Sequence, residues 1–109
     1  MRKIEGRAPL YQVKADLFRS IGHPVRIRAL ELLLDGPLAV RELLANIEIE
    51  SSSLSHQLRI LRDHGLVTSE RDGATMRYTL ASPEVADLLR AGRAILTAEV
   101  LARAEEVGP

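Results

Sequence analysis

A mainly α-helical fold carrying one small β-hairpin is predicted for this 109-residue chain by three observations. Apolar residues reach 46% while Phe, Tyr and Trp together supply only 3%, so the core must be built from Leu, Ile, Val and Ala, which favours helices. Apolar positions recur at helical spacing in successive runs separated by Gly and Pro. Asp72-Gly73, set between Leu66 to Arg71 and Thr75 to Leu80, is a short-range hairpin signal. The length fits one domain.

Leu10, Val13, Leu17, Phe18 and Ile21 define the first helix, which Gly22 stops. Pro24 suits the first position of a second helix, whose apolar stripe runs through Val25, Ile27, Leu30, Leu33 and Leu34 to the break at Asp35-Gly36-Pro37. A short third helix fits Val40 to Ile47, with Ala39 as a poor cap. Ser51-Ser52-Ser53 opens a fourth helix with Leu54, Leu58 and Leu61 on one face, and Gly65-Leu66 closes it. In the hairpin, a two-residue loop at Asp72-Gly73 would pair Val67 with Tyr78 and Ser69 with Met76, while Thr68, Glu70, Thr75 and Arg77 point the other way. Ser82-Pro83-Glu84 caps a last helix bearing Val85, Leu88, Leu89, Ile95, Leu96, Val100 and Leu101.

The order α-α-α-α-β-β-α spells a helix-turn-helix with a wing. A domain over 9–103 is expected, preceded by a basic arm over 1–8 and followed by a polar tail over 104–109. No apolar run approaches the ~20 residues of a membrane span, and no signal region follows Met1-Arg2-Lys3, so a cytoplasmic protein without a membrane partner is expected. The absence of cysteine removes disulfides, thiolate metal sites and thiol nucleophiles together. Lys and Arg balance Asp and Glu at 15 each, yet unevenly along the chain. Residues 1–28 carry a net +5 and residues 29–50 a net −4, so a neutral chain still presents a basic face.

The fourth helix is the candidate reading element. With Leu54, Leu58 and Leu61 turned to the core, the opposite face carries Ser52, Ser55, His56, Arg59 and, near its end, Asp63, with Ser53, Gln57 and Ile60 on the flank. Ser, His, Gln and Arg supply donors and acceptors for base edges and phosphates, and the helix N-terminus adds backbone amides. Asp63 repels phosphate, so the N-terminal half is the part that would enter a groove. Taken alone, this face also reads as an ordinary solvated surface; the adjoining hairpin tips the balance. Arg71 and Arg77 near its turn are placed to contact a phosphate or a minor groove, although two arginines on a hairpin also serve solubility.

The combination resembles the ArsR/SmtB family of winged-helix repressors over about residues 10 to 101. Leu17 through Leu30, with Gly22-His23-Pro24-Val25-Arg26-Ile27-Arg28, looks like that family's opening signature. Ser52-Ser53-Leu54-Ser55-His56-Gln57-Leu58-Arg59 looks like its recognition helix, and Gly65-Leu66-Val67 with Arg71-Asp72-Gly73 through Tyr78 looks like its wing. The resemblance implies a homodimer joined by the first and last helices, here through Leu10, Val13, Leu17, Leu88, Leu89, Ile95 and Leu96. It also implies double-stranded operator DNA of pseudo-palindromic sequence as partner, read by Ser52, Ser53, Ser55, His56, Gln57, Arg59, Arg71 and Arg77.

Many relatives of this type sense metals through a C-V-C motif on the third helix, but the matching stretch is Ala39-Val40-Arg41. No histidine follows His64, and the last helix offers only Glu84, Asp87 and Glu99 as donors, so no metal site and no cofactor are expected. His23 before Pro24 reads as structural, His56 as DNA-facing, and His64 as a complement to its helix's C-terminal dipole. A non-metal ligand would need a cavity between the first and last helices, lined by residues such as Leu17, Phe18, Leu88 and Leu89, although such residues are more often plain dimer core. An enzyme is disfavoured, because no G-x-S-x-G, phosphate-binding glycine loop or H-E-x-x-H occurs. The competing reading is a winged-helix module that binds protein instead of DNA.

Overall fold

The fold is described from a computed structural model, for residues 8–96 together with Val100, Leu101 and Arg103. Helix α1 spans Leu10–Ile21 and ends at Gly22, whose amide donates to Phe18 O. Helix α2, Pro24–Leu32, starts from an extended His23 whose Nδ1 accepts the Val25 amide at 3.1 Å, with Pro24 in the first turn where no amide is missed. A 3₁₀ turn over Leu33–Asp35 ends it.

Strand β1, Leu38–Ala39, leads directly into the short α3, Val40–Leu44. Ala39 has no side-chain oxygen, but the Glu42 carboxylate reaches back and accepts its amide at 2.8 Å, which compensates for the poor cap. The candidate reading helix is α4, Ser51–Asp63; it is followed by β2, Val67–Asp72, β3, Thr75–Leu80, and α5, Pro83–Ile95. The winged helix-turn-helix order is thus present, with β1 added: the sheet runs β1-β3-β2, all antiparallel, with Leu38 opposite Tyr78 and Ala39 opposite Arg77. No helix among the described residues is long and apolar enough to cross a membrane.

Several expectations need correction. The hairpin pairs Val67 with Leu80, Ser69 with Tyr78 and Asp72 with Thr75, two residues away from the expected register. The loop is therefore Gly73-Ala74. Gly73 has φ +67° and no non-glycine residue has positive φ, so a type II′ turn with glycine first replaces the type I′ turn, which would force Asp72 into the left-handed region. A slip of two keeps every side chain on its expected face, and Val67 and Tyr78 are buried while Thr68 and Glu70 are exposed.

Helix α4 opens at Ser51, as the serine run leads one to expect, with Glu50 in the cap position making no side-chain cap bond. Ser82 does occupy the cap of α5, yet its hydroxyl makes no cap bond either. Helix α3 stops at Leu44, so Ile47 is buried from a turn. Ile27 leaves the stripe of α2 and is exposed. Helix α5 stops at Ile95, where Leu96 turns to ψ 71°; Val100 and Leu101 are helical again, and 97–99 lie outside the described residues.

The core joins Ala29 and Leu30 of α2, Leu33, Leu43, Ile47, the three α4 leucines, Leu66, Val67, Tyr78 and Val85. Leu54, Leu58 and Leu61 are fully buried, which stabilises the seating of α4 by about 1.5–3 kcal/mol per side chain. Helix α4 touches α1, α2 and β2, and this cradle fixes which face looks outward.

Candidate nucleic-acid interface

Helix α4 presents Ser52, Ser53, Ser55, His56 and Arg59 as exposed residues, all without a side-chain hydrogen bond or ion pair among the described residues. Exposure follows from the leucine spacing: once Leu54, Leu58 and Leu61 are buried, residues half a turn away must face solvent. The first turn holds no acidic residue, although the exposed Glu50 occupies the cap position, and with no side-chain cap bond the first backbone amides stay available at the positive end of the helix dipole. Asp63 is exposed at the far end. The arrangement offers hydroxyls, an imidazole, a guanidinium and backbone amides on one convex surface, a set able to bond phosphates and base edges.

Gln57 is placed differently. It is half-buried on the flank turned toward α2, and its Oε1 accepts from Arg26 Nη1 at 2.7 Å. Arg26 also donates from Nε to Ser20 O at 2.6 Å and from Nη2 to Arg19 O at 3.3 Å. In the sequence Arg26 stands within the family-like signature of Gly22 to Arg28 with no partner in view. Its partner stands 31 positions away, a separation that no local pattern reports. Beside this cluster a cleft of about 280 Å³ is lined by Asp16, Arg19, Ser20, Arg26, Ile60 and His64.

In the wing, Arg71 lies opposite Met76 and Arg77 opposite Glu70, so the two arginines leave opposite faces of the hairpin. Arg71 is exposed and forms no ion pair among the described residues. Arg77 stands 3.9 Å from the Glu42 carboxylate and 3.7 Å from that of Asp72, held between α3 and the wing. The basic arm expected over 1–8 lies outside the described residues except for Ala8.

His23 accepts the Val25 amide, and His64 Nδ1 lies 2.8 Å from Ile60 O at the end of α4, so both rings serve helix ends. No group of three or more His, Cys, Asp or Glu side chains able to hold a metal ion occurs among the described residues.

The residues expected at a dimer seam fall into two groups. Leu10 (66% exposed), Ile95 (75%) and Leu96 (51%) are open, while Val13, Leu17, Leu88 and Leu89 are half-buried, and Leu17 and Leu89 pack partly on the core. Tyr11 and Phe18 add exposed aromatic surface to α1. Helix α1 rests on α4, whereas α5 rests on α2 and β3.

Comparison with known proteins identifies relatives of this fold. The family model described as bacterial regulatory protein, arsR family, matches residues 23–69, from the cap of α2 into β2. Rv0081 of Mycobacterium tuberculosis, named an uncharacterized HTH-type transcriptional regulator, is 47% identical over 89 residues, 81% of this chain and 78% of its own. Its crystal structure aligns with a TM-score of 0.80 at 44% identity, covering 89% of this chain and 98% of that one. The transcriptional repressor BigR of Xylella fastidiosa aligns at 0.74 with 33% identity over 81% of this chain and 90% of its own. HlyU of Vibrio cholerae aligns at 0.71 with 34% identity over 78% and 94%.

Proposed function

The chain belongs to the arsR family of bacterial regulatory proteins, and from that premise we propose that it is a cytoplasmic repressor that binds a pseudo-palindromic operator as a homodimer. The observation that carries this reading is the outward face of α4, where Ser52, Ser53, Ser55, His56 and Arg59 stand exposed beside uncapped helix amides. These residues enter the major groove N-terminal end first, since Asp63 keeps the other end away from phosphate. Arg71 at the wing reaches the backbone or minor groove, while Arg77, already flanked by two carboxylates, adds less. Residues 9–103 act as one domain for reading and pairing, and the work is binding rather than catalysis.

Dimerisation is supported by the apolar surface of Leu10, Tyr11 and Phe18 on α1 and of Ile95 and Leu96 at the end of α5, which water would otherwise cover. Leu17 and Leu89 back this surface from the core side. With cysteine absent from the chain, any inducing signal acts through other chemistry.

The test is selection of bound fragments from sheared DNA of the source genome without added ligand, followed by salt titration of the best fragment. Enrichment of an inverted repeat bound with a steep salt slope is expected. Folded, dimeric protein that enriches nothing would favour the protein-binding alternative.

A further inference from the structure

Gln57 belongs to the reading helix, yet it is half-buried and its side-chain oxygen is taken by Arg26. All three nitrogens of Arg26 are used around it, on Gln57 Oε1, Ser20 O and Arg19 O. The two carbonyls are among the last four of α1, which have no donor within their own helix, and they mark its negative end. One planar guanidinium on α2 therefore ties the end of α1 to the middle of α4. A lysine could supply the charge but not the fork that holds acceptors on two helices at once.

The same bond limits what Gln57 can read. Bidentate recognition of adenine by glutamine requires its oxygen and its nitrogen together, and here the oxygen faces Arg26. Helix α1 also carries the exposed Leu10, Tyr11 and Phe18. If two copies meet there, the angle between α1 and α4 sets the distance between the two reading helices, and so the spacing of half-sites.

We propose that Arg26 and Gln57 form a latch that fixes α4 to the end of α1, making Arg26 a positioning residue for operator spacing and removing Gln57 from the base-reading set. This rests on the DNA-binding reading above, so its test has one arm with DNA and one without.

In the first arm, urea unfolding at fixed protein concentration compares Arg26→Met, Gln57→Met and the double variant. The double variant is expected to depart from additivity by about threefold to tenfold in the unfolding equilibrium constant. Additive effects would overturn the latch whatever DNA does.

In the second arm, the fragment that wild-type protein enriches is rebuilt as a library with randomised half-sites and varied spacers. Wild type should keep one spacer length. Arg26→Met, Gln57→Met and the charge-conserving Arg26→Lys should accept spacers a base pair longer or shorter, with base preferences inside each half-site unchanged. A loss of stability alone would not move spacer choice, so unchanged spacing would overturn the positioning role. A changed base preference with Gln57→Met but not Arg26→Met would return Gln57 to the reading set and overturn the proposal. Wild-type protein that shows the coupling yet enriches no fragment would overturn the DNA-binding reading, and the latch's part in spacing with it.

Discussion

His56 illustrates how a burial pattern exposes a chemical group: its helix is held by leucines, and the imidazole is left on the outside without a partner among the described residues. A side chain so placed has its donor and acceptor available for a base edge. His56→Ala should lower specific affinity by about 1–3 kcal/mol while leaving non-specific binding nearly unchanged. An unchanged ratio of specific to non-specific binding, measured by competition titration, would remove His56 from the site. The arginines differ among themselves for an electrostatic reason. Arg59 has no carboxylate partner among the described residues, whereas Arg77 has Glu42 and Asp72 within ion-pair distance. Arg59→Ala should reduce the slope of log affinity against log salt by about 1, and Arg77→Ala by less, because part of its charge is already compensated. Equal slopes for the two variants would contradict that ranking.

At the scale of elements, the end of α4 decides where the wing begins. Gly65 takes φ +73°, its amide donates to Arg62 O at 3.0 Å, and the Leu66 amide donates to Leu61 O at 2.9 Å. This is a Schellman closure, with Leu66 and Leu61 both buried beneath it. Gly65→Ala must place a β-carbon in the left-handed region, and a loss of about 1–2 kcal/mol in unfolding free energy is expected. A urea midpoint equal to wild type would show that the turn relaxes without cost. The neighbouring turn shows the same chemistry deciding register. Gly73 is the left-handed residue of the wing, so the loop settles on Gly73-Ala74 and Asp72 joins the strand opposite Thr75. The Asp-Gly pair marked the turn correctly but not the glycine's place within it.

For the whole molecule, the decisive feature is apolar surface that one copy leaves open. Phe18 is 56% exposed on α1, and Leu10, Tyr11, Ile95 and Leu96 are open as well. Because Phe18 contributes little to the core of a single copy, Phe18→Asp should leave the fold intact, with near-native helical circular dichroism, while shifting sedimentation from dimer to monomer and abolishing operator binding. Leu17→Asp is a poorer probe, since Leu17 also packs against the core and its loss would confuse unfolding with dissociation. An intact Phe18→Asp dimer would place the interface elsewhere.

Much of this protein is legible in its residues one after another. Leucine spacing fixed α4 and its outward serines, histidine and arginine; Gly65 and Pro24 marked helix ends; the lack of cysteine excluded thiolate chemistry. These are local matters, governed by periods of three to four residues and by the conformational limits of single side chains. Tertiary structure alone decided the rest. Strand β1 exists because Leu38-Ala39 finds β3 nearly forty residues on, the second carboxylate beside Arg77 comes from α3, and Gln57 turns inward because α2 sets Arg26 against it. Each depends on groups distant in sequence meeting across packed elements, and the energy of such a meeting leaves no periodic trace in the chain.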